Sequence, residues 1–336
     1  MGFAMLAFVA APVAQAQEAV ANFYRGKTVT IVVGTSAGGG YDTYARLIAR
    51  HMSKHTPGKP IFIVSNMPGA GSNLAAGYVY NVAPKDGTYV AALFSGAPLE
   101  ALIGSIAVQA DPSQYRYLGS ANNDVYICVS RKDAAVKRFD DLFKTELVVG
   151  STQSSPTADF PSALNGLLGT RFKQVRGYPG SREIGLAIDK NEVQGACGLA
   201  WASISVSNPE WFGPNGTMNI LAQTASTTRP DLDRIGIPTA LSFANTDDQR
   251  RGLQLFFSQE VFSRPYIMSP SVPAERIAAM RAAFAETLAD PDLLAEARKA
   301  NLEVSPVSGE EVQELIAKVY DAPKSVVAQV KAALQP

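Results

Sequence analysis

The stretch VTIVVGTSAGGGYDTYARLIARHM, residues 29–52, sets the reading of the whole chain. Val29, Ile31, Val32 and Val33 form a short apolar, β-branched run of the kind that makes a buried strand, and Gly38, Gly39 and Gly40 end it in a turn. Asp42 and Thr43 open a helix, along which Tyr44, Leu47, Ile48 and Met52 recur at helical spacing while Arg46 and Arg50 point away. A strand running through a glycine turn into a helix N-terminus aims several backbone N–H groups at one point, with the positive end of the helix dipole behind them. Such a turn binds an anion, and glycine suits it because a Cβ would hold ligand and backbone apart.

The same residues exclude two phosphate motifs and leave one enzyme motif to weigh. A dinucleotide fingerprint GxGxxG needs a glycine where Thr43 stands, and a P-loop needs a lysine that does not follow these glycines. Gly34-Thr35-Ser36-Ala37-Gly38 does match the GxSxG nucleophile elbow, in the strand, turn and helix order the elbow requires. That chemistry needs a histidine base late in the chain, whereas the only histidines, His51 and His55, follow at once on the same helix. Without a base in reach Ser36 is an ordinary hydroxyl, so no catalysis is expected and a serine hydrolase stands as an alternative. His51 and His55 have metal-ligand spacing, but Met52 stands where HExxH has glutamate; they read as a solvated face, with no metal.

With 336 residues, 46% hydrophobic and 18% charged, the chain can bury one large or two medium cores. Lys+Arg and Asp+Glu total 30 each, so the formal net charge is zero and nucleic acid is not an expected partner. The opening MGFAMLAFVAAPVAQAQ is apolar and ends in the A-x-A site Ala14-Gln15-Ala16, which reads as a signal peptide over residues 1–16 although no Lys or Arg precedes its apolar core. It falls short of the ~20 apolar residues of a membrane span. Cys128 and Cys197 each sit in an apolar, strand-like run. Export would permit a bridge between them, while two buried thiols acting as small apolar residues are the simpler expectation.

Residues 60–64 read as a second buried strand, running into the turn Gly69-Ala70-Gly71 with Ser72 or Asn73 placed to cap the next helix. This repeat suggests a parallel α/β sheet with both loops at the carboxyl ends of its strands, the edge where open α/β sheets hold ligands. A third strand over 89–94 ends in Ser95 and Gly96 and adds polar groups to the rim. Residues 116–133 read as one strand with a polar approach, and Leu147, Val148 and Val149 as another. The loop after it carries Ser151, Thr152, Ser154 and Ser155 ahead of a helix marked by Pro156 and Thr157. A second anion-binding helix start, on a second sheet, would face the first across a cleft. After residue 222 the chain returns to the first unit and is largely helical, with Ile277, Met280, Phe284 and Leu288 as a core stripe.

Four landmarks recur together: GGGxD with an arginine four residues on (Gly38, Gly39, Gly40, Asp42, Arg46), NxPGAGxN (Asn66, Pro68, Gly69, Ala70, Gly71, Asn73), APxDGT (Ala83, Pro84, Asp86, Gly87, Thr88) and the SVPAERIAAMRAAF helix. They resemble the periplasmic receptors of tripartite tricarboxylate transporters, the Bug or TctC family, over essentially the whole mature chain. The resemblance implies a two-lobed α/β fold of the type II periplasmic binding proteins, with lobe 1 built from 17–120 and 224–336, lobe 2 from 121–223, and a ligand cleft between them. It further implies a monomeric periplasmic protein without a cofactor. Such a receptor holds a small carboxylate on two facing loops, partly through ordered waters, and delivers it to membrane permease subunits. The expected ligand-binding set is Ser36, Ala37, Gly38, Gly39 and Asp42 on the first loop, Ser72 and Asn73 beside it, Ser95 on the rim, Ser154, Ser155 and Thr157 on the second loop, and Tyr178 and Trp201 as walls.

Asp42 would repel a bound carboxylate, so it acts through water or a ligand amino group, or it only orders the loop. Tyr41, Phe94, Tyr126, Tyr178 and Trp201 lie in or beside loops that reach the cleft. Read as walls rather than core, they favour a planar ligand, so an aromatic mono- or dicarboxylate is expected over a C4 to C6 aliphatic diacid. A sensory module that presents its liganded form to a partner has the same cleft and is the other alternative.

Overall fold

In the computed structural model, residues 10–103, 110–153, 155–226 and 228–335 are described. In chain order the strands are Thr28–Val33 (β1), Ile61–Asn66 (β2), Tyr89–Ala92 (β3), Arg116–Ser120 (β4), Tyr126–Arg131 (β5), Leu147–Ser151 (β6), Phe172–Arg176 (β7), Gly195–Ala200 (β8), Met218–Thr224 (β9), Pro265–Met268 (β10) and Val307–Ser308 (β11). They form one sheet ordered β11-β4-β10-β3-β1-β2 and a second ordered β7-β6-β8-β5-β9. The helices that position the site are Ala10–Tyr24 (α1), Gly40–His55 (α2), Pro156–Leu168 (α3), Trp201–Ser207 (α4), Asp247–Phe257 (α5), Pro291–Lys299 (α6) and Lys324–Leu334 (α7).

The apolar run at 29–33 forms β1, whose Val29, Ile31, Val32 and Val33 are almost wholly buried, as befits a strand covered on both faces. β1 pairs in parallel with β2 and β3, so the loops after all three leave by one edge. The sheet is mixed rather than parallel throughout, because β10 enters between β3 and β4 and runs antiparallel to both. The loops behind this edge are tightly stacked. A Cβ on Gly34 would lie 2.4 Å from the Ser72 side chain, so only glycine lets the two turns touch.

Residues 116–133 form two strands, not one. β4 ends in the first sheet at Ser120 and β5 begins in the second at Tyr126. Between them the Asn122 carbonyl accepts from the hydroxyls of Ser120 (2.7 Å) and Ser263 (2.9 Å), which hold the crossing segment in an irregular path. In the second sheet β5 runs antiparallel to β8, with Cys128 opposite Cys197, and the two are joined by a disulfide. That corrects the expectation of two free thiols. Register across neighbouring strands decides it, and neither cysteine's local sequence carries that information.

β10 and β11 lie in the first sheet, whereas helices α5 and α7 pack on α3, which follows β6 of the second. Ala333 of α7 comes so near Gly166 of α3 that a Cβ there would sit 2.4 Å from it. Rings continue the contact: Phe160 of α3 lies 4.9 Å from Phe256 of α5 and 4.9 Å from Tyr126 of β5. At the other end of the chain, α1 spans Ala14-Gln15-Ala16, and its Val20 and Tyr24 are buried; residues 1–9 of the expected signal peptide lie outside the described residues. Among the described residues no helix is long and apolar enough to cross a membrane.

Candidate ligand cleft

The first loop is held from beneath by Asp42. This carboxylate is buried, accepts the Gly38 amide at 2.8 Å and Arg46 Nε at 2.9 Å on one oxygen, and accepts Asn66 Nδ2 at 2.9 Å on the other. Burial raises its pKa, but the bonds from Arg46, the Gly38 amide and Asn66 outweigh that and hold it below the ordinary carboxylate value. Arg46 also donates to Asn66 Oδ1 at 3.1 Å, so three of the motif residues form one closed network. Asp42 therefore orders the turn. Ser36, Ala37, Gly38 and Gly39 stay exposed above it, and Gly39 at the cap position of α2 gives no side-chain cap, leaving the first-turn amides facing the same space.

The neighbouring loops supply supports more than donors. Ser72 is fully buried; its hydroxyl donates to the Gly34 carbonyl and accepts from the Phe94 amide, both at 3.1 Å, which ties three loops together. Asn73 donates to the Ala70 carbonyl at 3.0 Å, and its Oδ1 is buried without a partner. Ser95 Oγ lies 3.1 Å from the Tyr126 hydroxyl and donates to Gln259 Oε1 at 3.3 Å, joining the rim of the first sheet to β5 of the second.

The second loop is a cluster of hydroxyls at the head of α3. Ser155 caps the helix by accepting the Thr157 amide at 3.3 Å, and Thr152 Oγ1 lies 2.5 Å from Ser155 Oγ and 3.3 Å from Thr157 Oγ1. Ser155 Oγ and Thr157 Oγ1 are 3.1 Å apart. Three hydroxyls that share protons can rotate together and present donors to an anion, with the positive end of α3 behind them. Ser154 lies outside the described residues. Tyr178 lies beside this cluster, its amide bonded to the Ser151 carbonyl at 3.2 Å.

No protein-family model matches the chain. Over 171 residues it is 34% identical to the UPF0065 protein in the TAR-I ttuE-ttuC' intergenic region of Agrobacterium vitis; the match covers 48% of this chain and 47% of that one, so the chain spans about half the length of this curated relative. Among solved structures, that of periplasmic binding protein BugD is 17% identical and covers 92% of this chain and 98% of its own, with a TM-score of 0.68. MatC from Rhodopseudomonas palustris with bound malate is 19% identical, covers 92% and 99%, and has a TM-score of 0.64. The fold is that of the Bug-type periplasmic binding proteins. The two-sheet, two-lobed architecture expected from the sequence is thus the one the chain adopts.

On this Bug fold the remaining expected residues separate. Trp201 turns away from the hydroxyl cluster: its indole N–H donates to Asp231 at 2.8 Å and its ring meets Phe212 edge-on at 5.0 Å. It lines a groove of about 500 Å³ with Arg229, Asp231, Leu302 and Glu303, none of which lies on the two loops. Tyr126 is buried against Phe160. The other three rings expected as walls have partners too: Tyr41 meets Phe94 edge-on at 4.7 Å and donates to the Ser263 carbonyl at 3.0 Å, and the Tyr178 hydroxyl donates to Glu192 at 3.5 Å. His51 and His55 are not a solvated face: His51 pairs with Glu296 of α6 at 2.7 Å and His55 with Asp290 at 2.5 Å, both half-buried. They lie toward the far end of α2, His51 about 16 Å along the axis from Gly40 at 1.5 Å per residue, so Ser36 has no imidazole in reach.

One buried residue beside the head of α2 is absent from the sequence reading. Arg264, at the start of β10, is 5% exposed, with its guanidinium carbon 4.2 Å from the Tyr44 ring centre and 4.9 Å from that of Tyr41. Nη1 and Nη2 come within 3.8 and 3.9 Å of where a Cβ on Gly40 would stand, and Nη2 donates to Ser203 of α4 at 3.3 Å. The available signal is a lone arginine in the otherwise apolar, strand-like run VFSRPYIM, where a charge has no structural reason to be.

Proposed function

We propose that this protein is an extracytoplasmic solute-binding protein that captures a small carboxylate between its two sheets. It would deliver the ligand to the membrane permease of a tripartite tricarboxylate-type transporter, acting as an exported monomer without catalysis, with the first sheet and its loops as one lobe and the second as the other. The observation that carries this reading is the hydroxyl cluster of Thr152, Ser155 and Thr157 at the head of α3, set at a strand's carboxyl edge like the uncapped start of α2. Both helix starts offer amide or hydroxyl donors under a helix dipole, which suit a carboxylate.

Within that class the reading moves from an aromatic ligand to a short aliphatic diacid. Burial of Tyr126 and the bond from Trp201 to Asp231 remove two stacking surfaces, and a Bug-fold relative is described with bound malate. A melting assay with malate, adipate and benzene-1,4-dicarboxylate, followed by titration calorimetry, tests the proposal. Ligand binding to the folded state alone adds RT ln(1 + [L]/Kd) to its stability, so a matching diacid raises the melting temperature with concentration. Silence from every carboxylate, or ester turnover abolished by Ser36→Ala, would overturn it; tighter binding of the aromatic diacid would restore the planar ligand.

A further inference from the structure

We propose that Arg264 is the charged anchor for one carboxylate of the ligand, and that through it the cleft selects dianions over monoanions. The inference rests on the carboxylate-binding reading above. A guanidinium buried to this degree is normally paired, because taking a cation out of water is costly unless an anion or a full set of acceptors replaces the lost hydration. Arg264 has no ion-pair partner among the described residues, and its Nε is buried without an acceptor. Its company is two tyrosine faces, the Tyr44 hydroxyl and one serine hydroxyl, which compensate in part. Asp124 acts on it through space but makes no ion pair with it: one carboxyl oxygen accepts the Ala202 amide at 3.2 Å and the other is unbonded. The direct contact that Asp124 does not make is what a ligand carboxylate would bring.

Its position fits that role. The guanidinium lies against Gly40 at the uncapped head of α2, so an anion there would meet both the arginine and first-turn amides. Through Ser203 the same group touches α4, which follows β8 of the second sheet, so a carboxylate on Arg264 would also lie where the two units meet. The hydroxyl cluster of α3 is a separate, uncharged set of donors. One end of the cleft is then cationic and the other neutral, an asymmetry that rewards a ligand whose second carboxylate is ionised.

The test is titration calorimetry with malate, succinate and adipate, each beside its monoamide, which keeps the shape and removes one charge. Wild-type protein is expected to prefer the diacid by about tenfold or more, the scale of a charge-assisted contact. Arg264→Gln should weaken the diacid by about tenfold to a hundredfold, change the monoamide by less than about threefold, and so erase the preference; Arg264→Lys should restore part of it. Melting of the unliganded Arg264→Met variant should be unchanged or raised, since an unpaired buried charge is gone. Binding of the diacid by Arg264→Gln at wild-type affinity overturns the inference and leaves the carboxylate receptor standing. So does a parallel loss of diacid and monoamide, or unfolding of the Gln, Lys and Met variants alike, which would mark Arg264 as structural. Wild-type protein that binds none of these acids overturns both readings.

Discussion

The Asp42 carboxylate and the Gly38 amide meet at 2.8 Å across a single turn, so the charge that looks like a ligand contact spends itself on the backbone that forms the site. Arg46 and Asn66 complete its shell. Asp42→Asn should lower stability by about 1–3 kcal/mol, the scale of hydrogen bonds to a charged group, and should weaken carboxylate binding through a looser turn. The sign with pH follows from the depressed value: the folded carboxyl releases its proton more readily than the unfolded one, so its contribution is complete above the unfolded pKa of about 4 and is lost as pH falls through the lower folded value. Urea denaturation between pH 2 and 6 should show a shallower acid limb for the variant. Equal limbs would remove Asp42 from the stability of the loop.

Asp124 gives the opposite slope. Burial pushes its carboxyl up from the ordinary 3.8 to about 6, against the pull of Arg264 and the Ala202 amide. Between about pH 4 and 6 the folded state holds the proton that the unfolded state has lost, so stability falls as pH rises through that window and the full cost is present above it. The interval corresponds to about 3 kcal/mol. Asp124→Asn should recover part of that at pH 7.5 and nothing at pH 3.5, as read from denaturant midpoints at the two pH values. A variant less stable at both would show that the unbonded oxygen has a partner in solution.

Ser155 has two duties that a pair of substitutions separates. As the cap of α3 it should cost about 0.5–2 kcal/mol when changed to alanine and only a few tenths when changed to glycine. As a donor to the ligand it should cost affinity equally in both. Denaturation and calorimetry on Ser155→Ala and Ser155→Gly give the two numbers; affinity that follows stability would reduce Ser155 to a cap.

The disulfide between Cys128 and Cys197 closes a loop with a sequence separation of 69 and ties neighbouring strands of the second sheet. Its removal should cost about 4 kcal/mol in the chain-entropy account. Melting with and without reductant measures this. The Cys128→Ala, Cys197→Ala double variant should bind carboxylate as the wild type does, because both positions lie inside strands and away from the two loops.

By itself the sequence determined the strand, turn and helix that open the first unit and the hydroxyl-rich start of α3. β1, the glycine turn and α2 are legible because each rests on residues adjacent in the chain: a β-branched run, three glycines, and an apolar stripe at helical spacing. The helix start at Pro156 and the hydroxyls before it are local in the same way. Other features came only from tertiary structure. That residues 116–133 are two strands in two sheets depends on Ser263 reaching back to Asn122, a contact across 141 positions. The Asn66 bond that completes the shell of Asp42, and the carboxylate partners Asp290 and Glu296 of the histidines, came from packing as well. Arg264 stands 224 positions from Gly40 and 61 from Ser203, and only the packing of β10 between β3 and β4 brings the three together. Periodicity and capping act over a turn or two of chain, whereas the partner of a buried charge is chosen by the fold as a whole.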